Sequence, residues 1–127
     1  MTENHRVLLV TDGDDDAGLH RALVQAAPDA GVAVVKNREE MLRTPEPHVV
    51  VLDTDYAADL LRWMRTHPTY RKTPVIALTD SPARAAVEHL YELGANTCLR
   101  KPLDPIAMGG IAAGIGTYAG LVRAAAR

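Results

Sequence analysis

The chain has 127 residues, a length that suits one domain with a proper core, and 47% of them are apolar. Its formal charge of −2 gives no reason to expect a nucleic-acid or membrane surface. The single cysteine, Cys98, rules out an internal disulfide and fits a reducing cytosol, so a cytoplasmic protein is expected. The opening Met1–Arg6 is too polar for a signal peptide, and no run reads as long and apolar enough to span a bilayer.

Val7-Leu8-Leu9-Val10 is a short apolar run that predicts a first strand, ending on Thr11-Asp12-Gly13-Asp14-Asp15-Asp16. Gly13 permits a turn, and Asp15 and Asp16 suit the cap and first turn of a helix, where the dipole favours negative charge. Asp12 stands apart, because it sits right at the strand end. Leu19, Leu23 and Ala26 form a helical stripe that stops at Pro28. Val32–Val35 reads as a second strand, and Asn37–Arg43 as a short helix closed by Thr44-Pro45-Glu46-Pro47.

Val49-Val50-Val51-Leu52-Asp53 is the most telling stretch. A continuous apolar run of this length predicts a strand buried on both faces, and it runs straight into Asp53-Thr54-Asp55. Ala57–Thr66 follows as a helix with Leu60, Leu61 and Met64 inward and Trp63 partly exposed. Pro74–Leu78 predicts a fourth strand, ending on Thr79-Asp80. Ser81 then reads as an N-cap and Pro82 as the first residue of a helix that Gly94 terminates. Thr97–Arg100 is a short fifth strand ending at Lys101-Pro102, and Asp104-Pro105 caps and opens a last helix. Gly109, Gly110, Gly114, Gly116 and Gly120 require that helix to be either locally broken or packed closely through its small residues.

Strand followed by helix, five times over, predicts an α/β fold: a doubly wound parallel sheet with helices on both faces. With right-handed crossovers the leading topology is the flavodoxin-like order 2-1-3-4-5. That order brings Asp12, Asp53, Thr79 and Lys101 to one sheet edge, at the carboxyl ends of the strands, where ligands bind in such folds. Two carboxylates at a free edge suit a hard divalent cation such as Mg2+. A carboxylate beside it can attack phosphorus, with a lysine and a hydroxyl to meet the phosphoryl charge.

These residues carry a resemblance. The acid Asp12 after the first strand, Val-Val-Leu-Asp53, Ala-Leu-Thr79, Leu-Arg-Lys101-Pro102 and the run Tyr91-Glu92-Leu93-Gly94-Ala95-Asn96 together resemble a response-regulator receiver domain over nearly the whole length. The chain is similar in particular to stand-alone receivers such as the chemotaxis regulator and the regulators paired with bacterial phytochromes. Arg71-Lys72-Thr73-Pro74 and the extended last helix point to the second group. The resemblance implies that Asp53 accepts a phosphoryl group from a histidine kinase or phosphorelay protein. It implies that Asp12, Asp53 and the backbone carbonyl of Asp55 hold Mg2+, and that Thr79 and Lys101 sense the phosphoryl group. It also implies a cis Lys101–Pro102 bond, no enzymatic turnover beyond this phosphoryl chemistry, and a homodimer through the last strand and last helix, with Ala112, Ala113 and Ala119 allowing close helix approach.

The chain departs from the family pattern at several positions. Thr11 stands where receivers carry the first of two adjacent acids, leaving Asp14 and Asp80 as auxiliary acids. Asp80 occupies a place usually held by a small residue. Cys98 takes the switch position, where Tyr or Phe is usual, and the loop after Asp55 is short. A degenerate receiver that binds or dimerises without phosphorylation is the alternative reading. A haloacid-dehalogenase-like phosphatase, suggested by Asp53-Thr54-Asp55, ranks lower because no second acidic pair follows Lys101. The five histidines show no ligand spacing and read as surface or satisfied residues.

Overall fold

The structure, a computed structural model, describes residues 5–12, 18–80, 83–102 and 104–125. Its elements are β1 (His5–Thr11), α1 (Leu19–Ala26), β2 (Ala30–Val35), α2 (Arg38–Arg43), β3 (Val49–Asp53), α3 (Ala57–Thr66), β4 (Val75–Thr79), α4 (Arg84–Glu92), β5 (Thr97–Arg100) and α5 (Pro105–Ala125). The strands form one parallel sheet in the order β2-β1-β3-β4-β5, the predicted order.

Side chains alternate across each strand, and the core splits accordingly. Leu8, Val10, Val50, Leu52, Val75 and Ala77 face Met41 of α2, Leu60, Leu61 and Met64 of α3, and Leu90 of α4. Val7, Leu9, Val49, Val51, Ile76 and Leu78 face Leu19 and Leu23 of α1 and Met108, Ala112, Ile115 and Ala119 of α5. The central strand β3 buries Val49 to Leu52 completely, as its unbroken apolar run requires.

The termini of several helices are set by local chemistry. Asn37 accepts from the Glu40 N–H at 2.9 Å, and Asp104 Oδ1 accepts from the Ala107 N–H at 2.8 Å, with Pro105 in the first helical position. Gly94, at φ 109°, ends α4: its N–H donates to the Tyr91 carbonyl and the Ala95 N–H to the Leu90 carbonyl. The start of α4 differs from expectation. The helix begins at Arg84 behind Ala83, which provides no side-chain cap; Ser81 and Pro82 lie outside the described residues, as do Gly13, Asp14, Asp15 and Asp16.

Continuous through its glycines, α5 resolves the choice between breakage and close packing. A Cβ on Gly116 would collide with the Cβ of Ala27, so this glycine lets α5 approach α1; Gly109, Gly110 and Gly114 meet nothing within 4 Å. Two expectations about this helix are corrected. Its 21 residues, with a mean hydropathy of 1.4 over an 18-residue stretch, are long and apolar enough to cross a membrane, because Arg123 is its single charged residue; here it lies along the sheet. Ala112 and Ala119 are buried against the sheet, so only Ala113 of the three alanines is available on the outer face.

Candidate functional site

The carboxyl ends of β1, β3, β4 and β5 open into a cleft of about 550 Å³. It is lined by Thr11, Asp12, Asp53, Thr54, Asp55, Thr79, Asp80 and Lys101, and continues between α3 and α4 past Ala57, Ala58, Ala86, His89 and Leu90. Parallel pairing explains the gathering. Thr11 is level with Asp53 across β1 and β3, and Thr79 with Arg100 across β4 and β5, so Asp12 and Lys101 each fall one residue beyond the ladder.

Lys101 Nζ lies 3.0 Å from Asp53 Oδ2, with the two side chains only 22% and 15% exposed. Solvent screens this pair far less than Asp59–Arg62 or Arg84–Glu88, whose side chains are more than half exposed. The Lys101 N–H donates to the Thr79 carbonyl at 2.9 Å, which fixes the lysine backbone against β4. The Lys101–Pro102 peptide is trans, a correction to the cis bond expected from the resemblance. An X–Pro amide prefers trans by roughly 0.5–1 kcal/mol unless its surroundings select otherwise, and the lysine reaches Asp53 in the trans form.

Thr11 is buried at 8% exposure, whereas Asp12, Asp55 and Asp80 are exposed at the rim. Among the described residues no three His, Cys, Asp or Glu side chains form a ready metal cage. The donors on offer are the carboxylates of Asp12 and Asp53 and main-chain oxygen at Asp55. These are hard oxygen ligands that fit a magnesium ion, which keeps several of its waters. Asp14 lies outside the described residues.

Cys98 is not in this cleft. It lies on the outer edge of β5, where its N–H donates to the Tyr91 hydroxyl oxygen at 3.0 Å and its Sγ lies 4.0 Å from the Val87 carbonyl. Burial pushes its thiol pKa up. The sequence reading missed two residues here. His89, read as a surface or satisfied histidine, is indeed exposed and meets Arg62 at 3.3 Å across α3 and α4, but it also lines the cleft. Tyr91 was read only as part of a family motif; its seven-residue separation from Cys98, across the α4–β5 turn, is the signal that could have shown the contact.

The fold is similar to that of the phosphorylated cyanobacterial phytochrome response regulator RcpA. It superposes with a TM-score of 0.77 over 91% of this chain and 93% of that one, at 22% identity. The chain has the response-regulator receiver fold. A response regulator in red-light signalling of R. palustris shares it, at TM-score 0.70, 24% identity and 90% coverage of both chains. So does the receiver domain of a sensor histidine kinase from Pseudomonas aeruginosa PAO1, at TM-score 0.64 and 21% identity, covering 86% of this chain and 94% of that one. That domain has a magnesium ion coordinated in its active-site cleft. No protein-family model matches the sequence, and no curated protein does.

Proposed function

We propose that this receiver fold serves two-component signalling by accepting a phosphoryl group on Asp53 and passing the signal on by protein contact. The observation that carries the reading is the Lys101–Asp53 ion pair inside a cleft that also holds Asp12 and Thr79. An oxygen of the Asp53 carboxylate attacks phosphorus of a kinase phosphohistidine. The new O–P bond forms as the N–P bond breaks, and the imidazole leaves with the electron pair. Lys101, already beside the attacking carboxylate, stays within reach of the phosphoryl oxygens, and the Thr79 hydroxyl can donate to one of them. Asp12, Asp53 and the Asp55 carbonyl would hold Mg2+, which neutralises phosphoryl charge when bound.

The outer face of α5 and β5 supports pairing with a second copy of the chain. Ile106 and Leu121 are 89% and 64% exposed, and Ile111 and Tyr118 border a groove floored by Thr97 and Leu99. Sedimentation at rising concentration tests this; a monomer throughout, with and without a phosphoryl mimic, refutes it.

Incubation with acetyl phosphate and Mg2+ tests the phosphoryl chemistry. The expected result is a mass gain of one phosphoryl group that is absent in Asp53→Asn. No gain in the wild type at high Mg2+ overturns the reading.

A further inference from the structure

The helix α4 forms one wall of the cleft, through Ala86, His89 and Leu90, yet Leu90 is its only buried residue; α3, on the other side, buries four. Polar contacts add to this hold on α4. Its Tyr91 is 45% exposed, and the hydroxyl reaches over to accept the Cys98 N–H at 3.0 Å.

The place of that bond matters. Among the described residues β5 is an edge strand, paired with β4 alone. In a parallel ladder alternate residues turn their N–H groups to the neighbour. The Lys101 N–H donates to Thr79 of β4, so Leu99 also faces inward, and Cys98, whose N–H donates to the Tyr91 hydroxyl, faces the open edge. Tyr91 therefore grips β5 from outside, three residues before the lysine whose Nζ meets Asp53. One short path connects the lightly anchored helix to the charged pair: Tyr91, Cys98, the end of β5, Lys101, Asp53.

We propose that Tyr91 is a positioning residue for Lys101, acting through the Cys98 main chain, and that a change of charge at Asp53 is returned along the same path as release of the Tyr91–Cys98 bond. This rests on Asp53 being the phosphoryl acceptor. A bond that merely capped the strand edge would stabilise β5 but would take no part in what happens at Asp53. When Lys101 turns from the free carboxylate to a phosphorylated one, the end of β5 shifts with it. The outward N–H of Cys98 then loses its partner, and α4 is left with Leu90, the His89–Arg62 contact and the Gly94 turn as its main anchors.

The test uses the whole chain, 15N-labelled, as wild type and Tyr91→Phe, with and without Mg2+ and beryllofluoride as the phosphoryl mimic. Phenylalanine keeps the ring and removes only the hydroxyl. In the wild type the mimic is expected to shift the amides of Asp53 and Lys101 and to speed hydrogen exchange at the Cys98 amide at least tenfold. In Tyr91→Phe that amide exchanges fast from the start, and Asp53 takes phosphate from acetyl phosphate at least threefold more slowly. If the Asp53 and Lys101 amides shift while Cys98 exchange stays unchanged, the proposal is wrong and the acceptor reading stands. Labelling of Tyr91→Phe at the wild-type rate also overturns it. If no amide near Asp53 responds to the mimic in the wild type, the acceptor reading fails and takes the proposal with it.

Discussion

The guanidinium of Arg65 is folded over Gly94, donating to its carbonyl from Nη2 at 2.6 Å and from Nε at 3.2 Å. The same side chain donates to the carbonyls of Tyr70, Arg71 and Thr73 and to Asn96 Oδ1. One cation on α3 thus satisfies the loops that launch β4 and β5, the strands that lead to Thr79 and Lys101. Burial lowers its pKa, but an arginine stays charged throughout the working range. Arg65→Met leaves several acceptors without a donor and is expected to destabilise the chain by about 2–4 kcal/mol. Gly94→Ala meets both the positive φ and the Arg65 side chain, and is expected to cost at least about 1–2 kcal/mol. Urea unfolding measures both; a cost below about 0.5 kcal/mol for either would contradict this account.

Two glycines of α5 are expected to respond with opposite sign. Gly116→Ala forces a methyl group into Ala27 and should lose about 1–3 kcal/mol by prying α1 from α5. Gly114→Ala, facing open space in mid-helix, should gain about 0.5–1 kcal/mol. Paired thermal or urea melts decide it, and equal shifts in the two variants would refute the packing.

Tyr70 is 1% exposed, and its hydroxyl donates to the Met41 carbonyl at 2.8 Å. Burial, reinforced by the negative charge of Glu46, raises its pKa above 10.0. The folded state therefore holds this proton more tightly than the unfolded chain. The contribution to stability is complete below the unfolded value near 10 and is lost as pH rises through the folded value. Stability should fall more steeply above pH 10 in the wild type than in Tyr70→Phe. At neutral pH that variant should be weaker by about 1–2 kcal/mol through loss of the buried hydrogen bond. Denaturant midpoints across an alkaline series provide the comparison.

Because burial holds the Cys98 thiol protonated, the residue should react slowly with a disulfide reagent. At pH 8 we expect labelling at least about tenfold slower than for free glutathione, accelerating to the glutathione rate only in denaturant. Rapid labelling of the folded protein would show that the thiol is not shielded.

Thr11→Asp places a second carboxylate beside Asp12. At an effective dielectric near 20 an added charge within several ångströms of a divalent ion is worth about 1–4 kcal/mol, so Mg2+ should bind about tenfold or more tightly by calorimetric titration. Thr11 is buried in β1, so part of the gain is offset by lost stability, visible in the metal-free melt.

Periodicity alone was enough for the architecture. Five apolar runs with polar ends, separated by amphipathic helices, admit few right-handed arrangements, and the gathering of Asp12, Asp53, Thr79 and Lys101 follows from the strand order. Local signals are equally readable: Asp104 and Gly94 act within a few residues of themselves, so these two helix ends could be named before any packing was known.

Contacts between elements distant in the chain are another matter, because they depend on how helices are rotated and how far side chains reach. Nothing in the sequence tells that Arg65 spends its charge on carbonyls, that Ala112 and Ala119 turn inward while Ile106 turns out, or that His89 borders the cleft. Cys98 shows the difference most clearly. Its position on the fifth strand is legible from the pattern, but only the docking of α4 on an open sheet edge brings the Tyr91 hydroxyl to its amide. The alternation of side chains settles the fold early; the partners of individual polar groups are settled by tertiary packing, one buried or edge-exposed hydrogen bond at a time.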